Sequence, residues 1–256
     1  TTRGCDFACE FCAVRVTMPG KSRCRSPENV VEEMALLHDR FGFRHIFLQD
    51  AMFPITSDLT RGMCELLLRR GMKMTLAANV RADSASLADL KLMKRAGFYY
   101  LLFGVESANP EILKDISKGE TLEQILQAIQ WCRQVGILVG LHFIVGFENE
   151  TDETVRRNAE LIRQVKPDTC YIRPLAIYPG TTLYDKVSER GLLPPKEWMA
   201  PGPFFHQYYE HSYEQLLRWR EDLKLIITKD FQIKHPISAL KRRFSKKRRR
   251  GGSKPS

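Results

Sequence analysis

Along the first 175 residues, helix-spaced apolar positions, a glycine and a short apolar run follow one another in a repeating order. Val30, Val31, Met34, Leu37 and Phe41 predict a helix over 27–41, with Ser26 as its cap, Pro27 in its first turn and Gly42 at its end. The run HIFLQ (45–49) predicts a strand. A second helix is predicted over 58–70, stopping at Gly71, and a strand over 72–79 (MKMTLAAN). A third helix over 86–96 ends at Gly97 and feeds a strand over 98–105 (FYYLLFGV). Asn109 and Pro110 open another helical stretch. Thr121 and Gln124 form a capping box for a helix ending at Gly136, and the strand ILVGLHFIVG follows over 137–146. A helix over 151–165 and a strand over 169–177 (TCYIRPLAI) complete the series.

Strands that alternate with helices pair in parallel through crossovers. Their nearly continuous apolar runs predict that both sheet faces are covered. The expected fold class is α/β: a partial (β/α)6 TIM-like barrel with parallel strands, its first strand truncated because the chain begins where that strand would end. An open doubly wound sheet fits the same periodicity. Beyond Gly180 the pattern stops. Residues 191–211, rich in Pro and aromatics, read as an irregular packed loop, and 212–232 as a helix that can bury Leu216, Leu217, Trp219, Leu223 and Ile226. The expected organisation is a core over 1–185, an irregular and helical extension over 186–240 and a basic disordered tail over 241–256.

Composition then narrows the class. With 43% hydrophobic and 27% charged residues in 256, the chain reads as globular and large enough to bury a core without disulfides. The net charge of +10 suggests nucleic acid until it is located: residues 241–256 hold nine Lys and Arg and no acid, leaving +1 for residues 1–240. That tail is a candidate contact for RNA or an anionic membrane. No apolar stretch approaches a membrane span, the residues from Thr1 onward contain no secretory signal although a preceding segment could carry one, and seven cysteines with three packed into eight residues point to metal ligation in the reducing cytoplasm. The six histidines show no H-E-x-x-H pairing, and there is no phosphate-binding loop or G-x-G-x-x-G after a strand.

The segment CDFACEFC has the spacing C-x3-C-x2-C and makes Cys5, Cys9 and Cys12 the candidate metal ligands. Three close thiolates can grip three irons of a cubane, leaving the fourth iron open to an amino acid-like ligand. A structural zinc site with Cys24 as fourth ligand, or a four-cysteine electron-transfer cluster, also uses such thiols. Cys24, Cys64, Cys132 and Cys170 lack ligand spacing and read as buried small residues.

C-x3-C-x-(aromatic)-C, with Phe11 as the aromatic, resembles the radical S-adenosylmethionine (radical SAM) superfamily. The resemblance covers about residues 1–185. The leader TTRGC and the segment FLQDAMF are most similar to the branch associated with cobalamin-binding domains, which includes methyltransferases and oxidative cyclases. The resemblance implies a 4Fe–4S cluster, S-adenosylmethionine, a 5′-deoxyadenosyl radical that takes hydrogen from a small-molecule substrate, and a one-electron donor such as flavodoxin. It also implies a cobalamin-binding domain upstream, although D-x-H-x-x-G is absent here. Since barrel ligands sit past the C-terminal ends of strands, the candidate cofactor contacts are Phe11, Gln49, Asp50, Arg81, Glu106, Ser107, Gly146, Glu150, Arg173 and Tyr178. Arg81 is the candidate partner of the methionine carboxylate, being able to grip it with two bonds. The segment GFENET resembles the family's G-x-P-G-E-T when read without a gap. Two other readings are an RNA-modifying radical SAM enzyme, and a noncatalytic zinc or iron–sulfur protein that binds nucleic acid through its tail.

Overall fold

The structure, a computed structural model, describes residues 1–192 and 211–234. The expected Pro/aromatic loop lies outside the described residues except at its edges, and the basic tail lies wholly outside them. In chain order the elements are β1 (Thr2–Arg3), α1 (Val14–Thr17), β2 (Arg23–Cys24), α2 (Pro27–Phe41), β3 (His45–Leu48), α3 (Asp58–Arg69), β4 (Thr75–Val80), α4 (Leu87–Arg95), β5 (Phe98–Glu106), α5 (Pro110–Asp115), α6 (Leu122–Val135), β6 (Leu138–Val145), α7 (Asp152–Val165), β7 (Thr169–Pro174), α8 (Thr182–Glu189) and α9 (Tyr213–Lys234).

The helices begin where side chains can meet their free N–H groups. Ser26, Ser57 and Ser86 accept from the backbone N–H three residues on, and Thr121 with Gln124 forms the expected capping box. Gly42 and Gly136 end α2 and α6 in the left-handed conformation, with φ of 72° and 77°. Helix α8 was not expected; Thr181 caps it just past the point where the helix–strand pattern stops. It runs across residue 185, so the polypeptide has no break in regular structure there.

Strands β3 to β7 lie in that order in one sheet, every pair parallel, and curl into a half-barrel. β1 pairs antiparallel with β2 and joins no strand of that sheet. Thr1, just before it, and Thr2, within it, bond through their hydroxyls to Asp50, just beyond β3, at 2.9 and 2.8 Å. The outward positions of the sheet, among them Leu76, Ala78, Leu101, Phe103, Val139, Leu141 and Phe143, are buried against the helices. Extension α9 belongs to the same core: Leu216, Trp219 and Leu223 are buried, and Trp219 donates its indole N–H to Asp152.

Two expectations need correction. The inward sheet face is not covered as the apolar runs implied: Phe47, Leu138 and Tyr171 are 38%, 46% and 46% exposed. The sheet runs from β3 to β7 without its two edge strands pairing, so its inner side chains face no strand across the barrel. Cys24 is exposed on β2, whereas Cys64 and Cys132 are buried and Cys170 is half-buried.

Candidate functional site

The cysteine loop lies at the C-terminal mouth of the half-barrel, tied at its middle. The backbone N–H of Glu10 donates to Ile116 O at 3.0 Å, and its carbonyl accepts from Leu183 N at 3.0 Å. Its carboxylate takes Ser117 at 3.2 Å and Lys186 at 2.6 Å. One residue therefore joins the loop to the ends of α5 and α8. Phe11, next along, meets the ring of Phe147 edge-on at 5.6 Å.

Below this loop is a cavity of about 240 Å³ lined by all three candidate ligands, Cys5, Cys9 and Cys12. Phe7 and Phe11 line it from the loop; Asn79, Leu102, Gly104, Glu106 and His142 line it from the sheet; Val14, Arg15, Ala51, Met52, Val80, Arg81 and Lys118 complete it. The sheet residues reach one side because strand side chains alternate: Asn79 stands opposite Leu102, and Gly104 opposite His142. Glu106 ends β5 at a register shift and holds a φ of 64°, a left-handed conformation that costs a glutamate about 1–2 kcal/mol.

A buried charge network supports that wall. Lys118 Nζ is 3.2 Å from Glu106 Oε1 and 3.2 Å from Glu120 Oε2. His142 Nδ1 is 3.3 Å from the other Glu106 oxygen. Burial opposes the charge on Glu106, but Lys118 and His142 outweigh it and hold the carboxyl below its ordinary range. Burial likewise opposes the charge on Lys118, yet Glu106 and Glu120 outweigh it and hold the ammonium above its ordinary value.

Arg81 is placed at the cavity but is not free for a carboxylate ligand. It donates to Asp83 at 3.1 and 2.8 Å and to Lys118 O at 2.8 Å, and approaches Glu120 at 3.5 Å. Its guanidinium lies 3.6 Å over the Phe7 ring, with Nη1 3.9 Å from Cys9 Sγ. Burial pushes the Cys9 thiol up while Lys118 and Arg81 pull it back, and burial also pushes Cys12 up. Binding a metal there must release thiol protons, a step these cations favour.

The structure thus brings Cys5, Cys9, Cys12, Phe11, Arg81 and Glu106 to one cavity and leaves the other candidates outside its wall. Gln49 is exposed, and Asp50 is buried under the leader it bonds. Ser107 is buried and accepts from Asn109 N at 3.1 Å. Glu150 is buried, bonded to the Gly146 N–H and 3.5 Å from Asn158 Nδ2; it braces the loop between β6 and α7. Asn149, with φ 63°, takes the left-handed position that a second glycine fills in G-x-P-G-E-T, which supports the gapless alignment. Arg173 and Tyr178 are exposed.

Lys118 and His142 were not singled out from the sequence. His142 carried a signal, as the polar residue within the apolar strand LVGLHFIV. Lys118, in Ser-Lys-Gly-Glu, reads like any solvated turn.

The donor set fits an anionic iron–sulfur group: three thiols with two cations beside one of them. Among the described residues no three His, Cys, Asp or Glu side chains converge on a single metal ion. A cubane is held differently, each thiolate on its own iron, so the sulfurs stand apart around the group. Cys24, the fourth ligand of the zinc alternative, lies outside the cavity.

Comparison with known proteins gives the family and its relatives. The sequence profile of the Radical SAM superfamily matches residues 1–162. An uncharacterized methyltransferase of Pyrococcus horikoshii is 30% identical over 198 residues, 77% of this chain and 43% of that protein. The anaerobic magnesium-protoporphyrin IX monomethyl ester cyclase of Rubrivivax gelatinosus is 30% identical over 191 residues, 73% of this chain and 34% of that protein. In fold, the chain resembles the radical S-adenosylmethionine methyltransferase TsrM from Kitasatospora setae, solved with cobalamin and a [4Fe-4S] cluster, with a TM-score of 0.71 at 19% identity over 86% of this chain and 45% of that one. The chain spans less than half the length of each of these relatives.

Proposed function

The chain belongs to the radical SAM superfamily, and from that premise we propose that Cys5, Cys9 and Cys12 hold a 4Fe–4S cluster at which S-adenosylmethionine is reductively cleaved. The observation that carries this reading is the meeting of the three thiols in one cavity at the barrel mouth, beside Lys118 and Arg81. When bound and reduced, the cluster supplies one electron to the sulfonium, which yields methionine and a 5′-deoxyadenosyl radical able to take a hydrogen atom from a substrate.

The chain's own residues supply position and charge. Lys118 and Arg81 both line the cavity with carboxylates of the chain already beside them, and together they give it positive charge towards an anionic cluster and the methionine carboxylate. Arg81 also holds the cysteine loop through Phe7 and faces Cys9. Glu106, fixed by Lys118 and His142, offers a carboxylate to the amine or ribose hydroxyls. Phe7 and Phe11 keep water from the reacting atoms.

The curated relatives include a methyltransferase and a cyclase. The proposed outcome is methyl transfer through cobalamin held by a further domain of the whole protein, with oxidative cyclisation as the second reading. A one-electron donor of the flavodoxin kind is the partner this chemistry requires.

The test is anaerobic reconstitution with iron and sulfide. The loaded protein should change its visible spectrum on addition of S-adenosylmethionine and form 5′-deoxyadenosine with a strong reductant. Cys9→Ala should abolish both the visible absorbance and the product. Retention of either by that variant refutes the assignment.

A further inference from the structure

The turns that lead from helix to strand carry a pattern that the cysteine cavity does not use. Strands β3 to β7 are all parallel, so every such turn falls at their N-terminal ends, opposite the mouth that holds the cysteines. The turns into β3, β4 and β5 serve neighbouring strands and stand side by side. The first brings Arg40 and Arg44, the second Arg69, Arg70 and Lys73, the third Lys94 and Arg95, all exposed. The acid in these turns is Asp39, which bonds the His38 ring at 2.7 Å. None of these cations forms an ion pair with a carboxylate among the described residues. Arg44 donates to the His38 ring at 2.9 Å and Lys94 to the Gly136 carbonyl at 2.5 Å, contacts that leave their charge uncompensated.

Helix ends explain part of this. A cation in a last turn complements the partial negative charge there, which accounts for Arg40, Arg69, Lys94 and Arg95. That effect fades beyond the last turn, and Arg44 and Lys73 stand past it. Nor does it account for apolar groups. Phe41 and Phe43 flank Gly42, where the chain turns with a φ of 72°; they are 58% and 54% exposed, with ring centroids 6.4 Å apart. The Arg40 guanidinium lies 5.6 Å over the Phe41 ring. Two apolar rings are thus open to solvent at the same end as the cations.

A partner for this end must match both features. A nucleic-acid strand is gripped in a groove that tracks its backbone. Here the cations are spread across the ends of α2, α3 and α4, side by side. A bilayer with anionic headgroups presents a plane of negative charge above an apolar layer, so it receives cations and rings together. We propose that the N-terminal end of the half-barrel docks on an anionic lipid bilayer, with Arg44, Arg70, Lys73 and Arg95 at the headgroups and Phe41 and Phe43 below them. The cysteine cavity then opens away from the membrane. This inference stands apart from the radical SAM reading, since none of these residues lines that cavity.

The test is co-sedimentation of the full chain with vesicles of equal parts phosphatidylglycerol and phosphatidylcholine, against vesicles of phosphatidylcholine alone. The parent should bind the anionic vesicles and leave the neutral ones. Arg70→Gln, Lys73→Gln and Arg95→Gln combined should weaken binding about a hundredfold, at about fivefold for each cation near an anionic surface. Phe41→Ser with Phe43→Ser should weaken it about tenfold or more and abolish the binding that persists in raised salt, because salt screens the charges and not the apolar contact. Both variants should keep the parent's urea midpoint, since all five side chains are exposed. The basic residues of 241–256 are common to parent and variants, so affinity that both variants retain within about threefold of the parent belongs to that segment and overturns the inference. Failure of the parent to bind anionic vesicles overturns it as well. Binding of polyuridylate that depends on the same three cations but not on the two rings, with no vesicle binding, overturns it in favour of a nucleic-acid surface.

Discussion

Glu150 gives the sharpest quantitative consequence of the fold. It sits at the turn between β6 and α7, 1% exposed, with N–H groups of Gly146 and Phe147 and the amide of Asn158 directed at it. Burial dominates those donors and pushes its carboxyl from a glutamate's ordinary 4.5 up to about 7. Between these values the folded chain holds a proton that the unfolded chain has released. A folded-state pKa above the unfolded one means that the stability Glu150 contributes is greatest below about pH 4.5 and falls as pH rises towards 7. At 1.36 kcal/mol per unit, the displacement is worth about 3 kcal/mol. Glu150→Gln keeps the shape and cannot ionise. Urea unfolding of parent and variant at fixed pH values from 5 to 8.5 isolates the contribution, because every other titrating group is common to both. The variant should gain about 2.5 kcal/mol relative to the parent across that range, the rest of the displacement lying below pH 5. Two profiles that stay within about 1 kcal/mol of a constant separation would show that Glu150 does not titrate as its burial implies.

Other consequences are simpler to state. Lys118→Met leaves Glu106 and Glu120 buried without their shared cation and should cost about 3–5 kcal/mol in urea unfolding at pH 7.5. The gap should shrink at pH 5.5 as the stranded carboxyls take up protons; a gap that does not narrow excludes the charge explanation. Gly97→Ala should lower the melting temperature by several degrees or prevent folding. Gly97 has a φ of 109°, and an added Cβ would lie 2.2 Å from the Met74 carbonyl oxygen, which is backbone and cannot swing away. A melting temperature equal to the parent's would exclude that close approach.

What could be read along the chain was whatever depends on near neighbours. Helix α2 was legible to the residue because Ser26, Pro27 and Gly42 act within one turn of its ends, and its stripe of Val30, Val31 and Met34 repeats at helical spacing. The cysteine triplet was legible for the same reason: C-x3-C-x2-C puts three thiols within eight residues whatever the rest of the chain does. Parallel pairing followed from the alternation of elements, because parallel neighbours need crossovers, whereas the sequential strand order was decided by the fold.

Membership of the cavity was decided only in three dimensions. Lys118 reaches Glu106 twelve residues away and His142 reaches it from thirty-six, and neither spacing has a local signature. Arg81 looked available until folding set Asp83, Glu120 and the Lys118 carbonyl around it. Asp50 was claimed by Thr1 and Thr2 rather than by the site. The same apolar runs that identified the strands could not say whether a second layer covers them, since burial on a sheet's inner face depends on whether the strands close into a ring. The sequence alone therefore determined most of the helices and strands and the close spacing of the three thiols, through interactions a few residues long. Tertiary structure decided which charges pair, which remain for a ligand and which face stays open, because those outcomes depend on groups brought together from tens to more than a hundred residues apart.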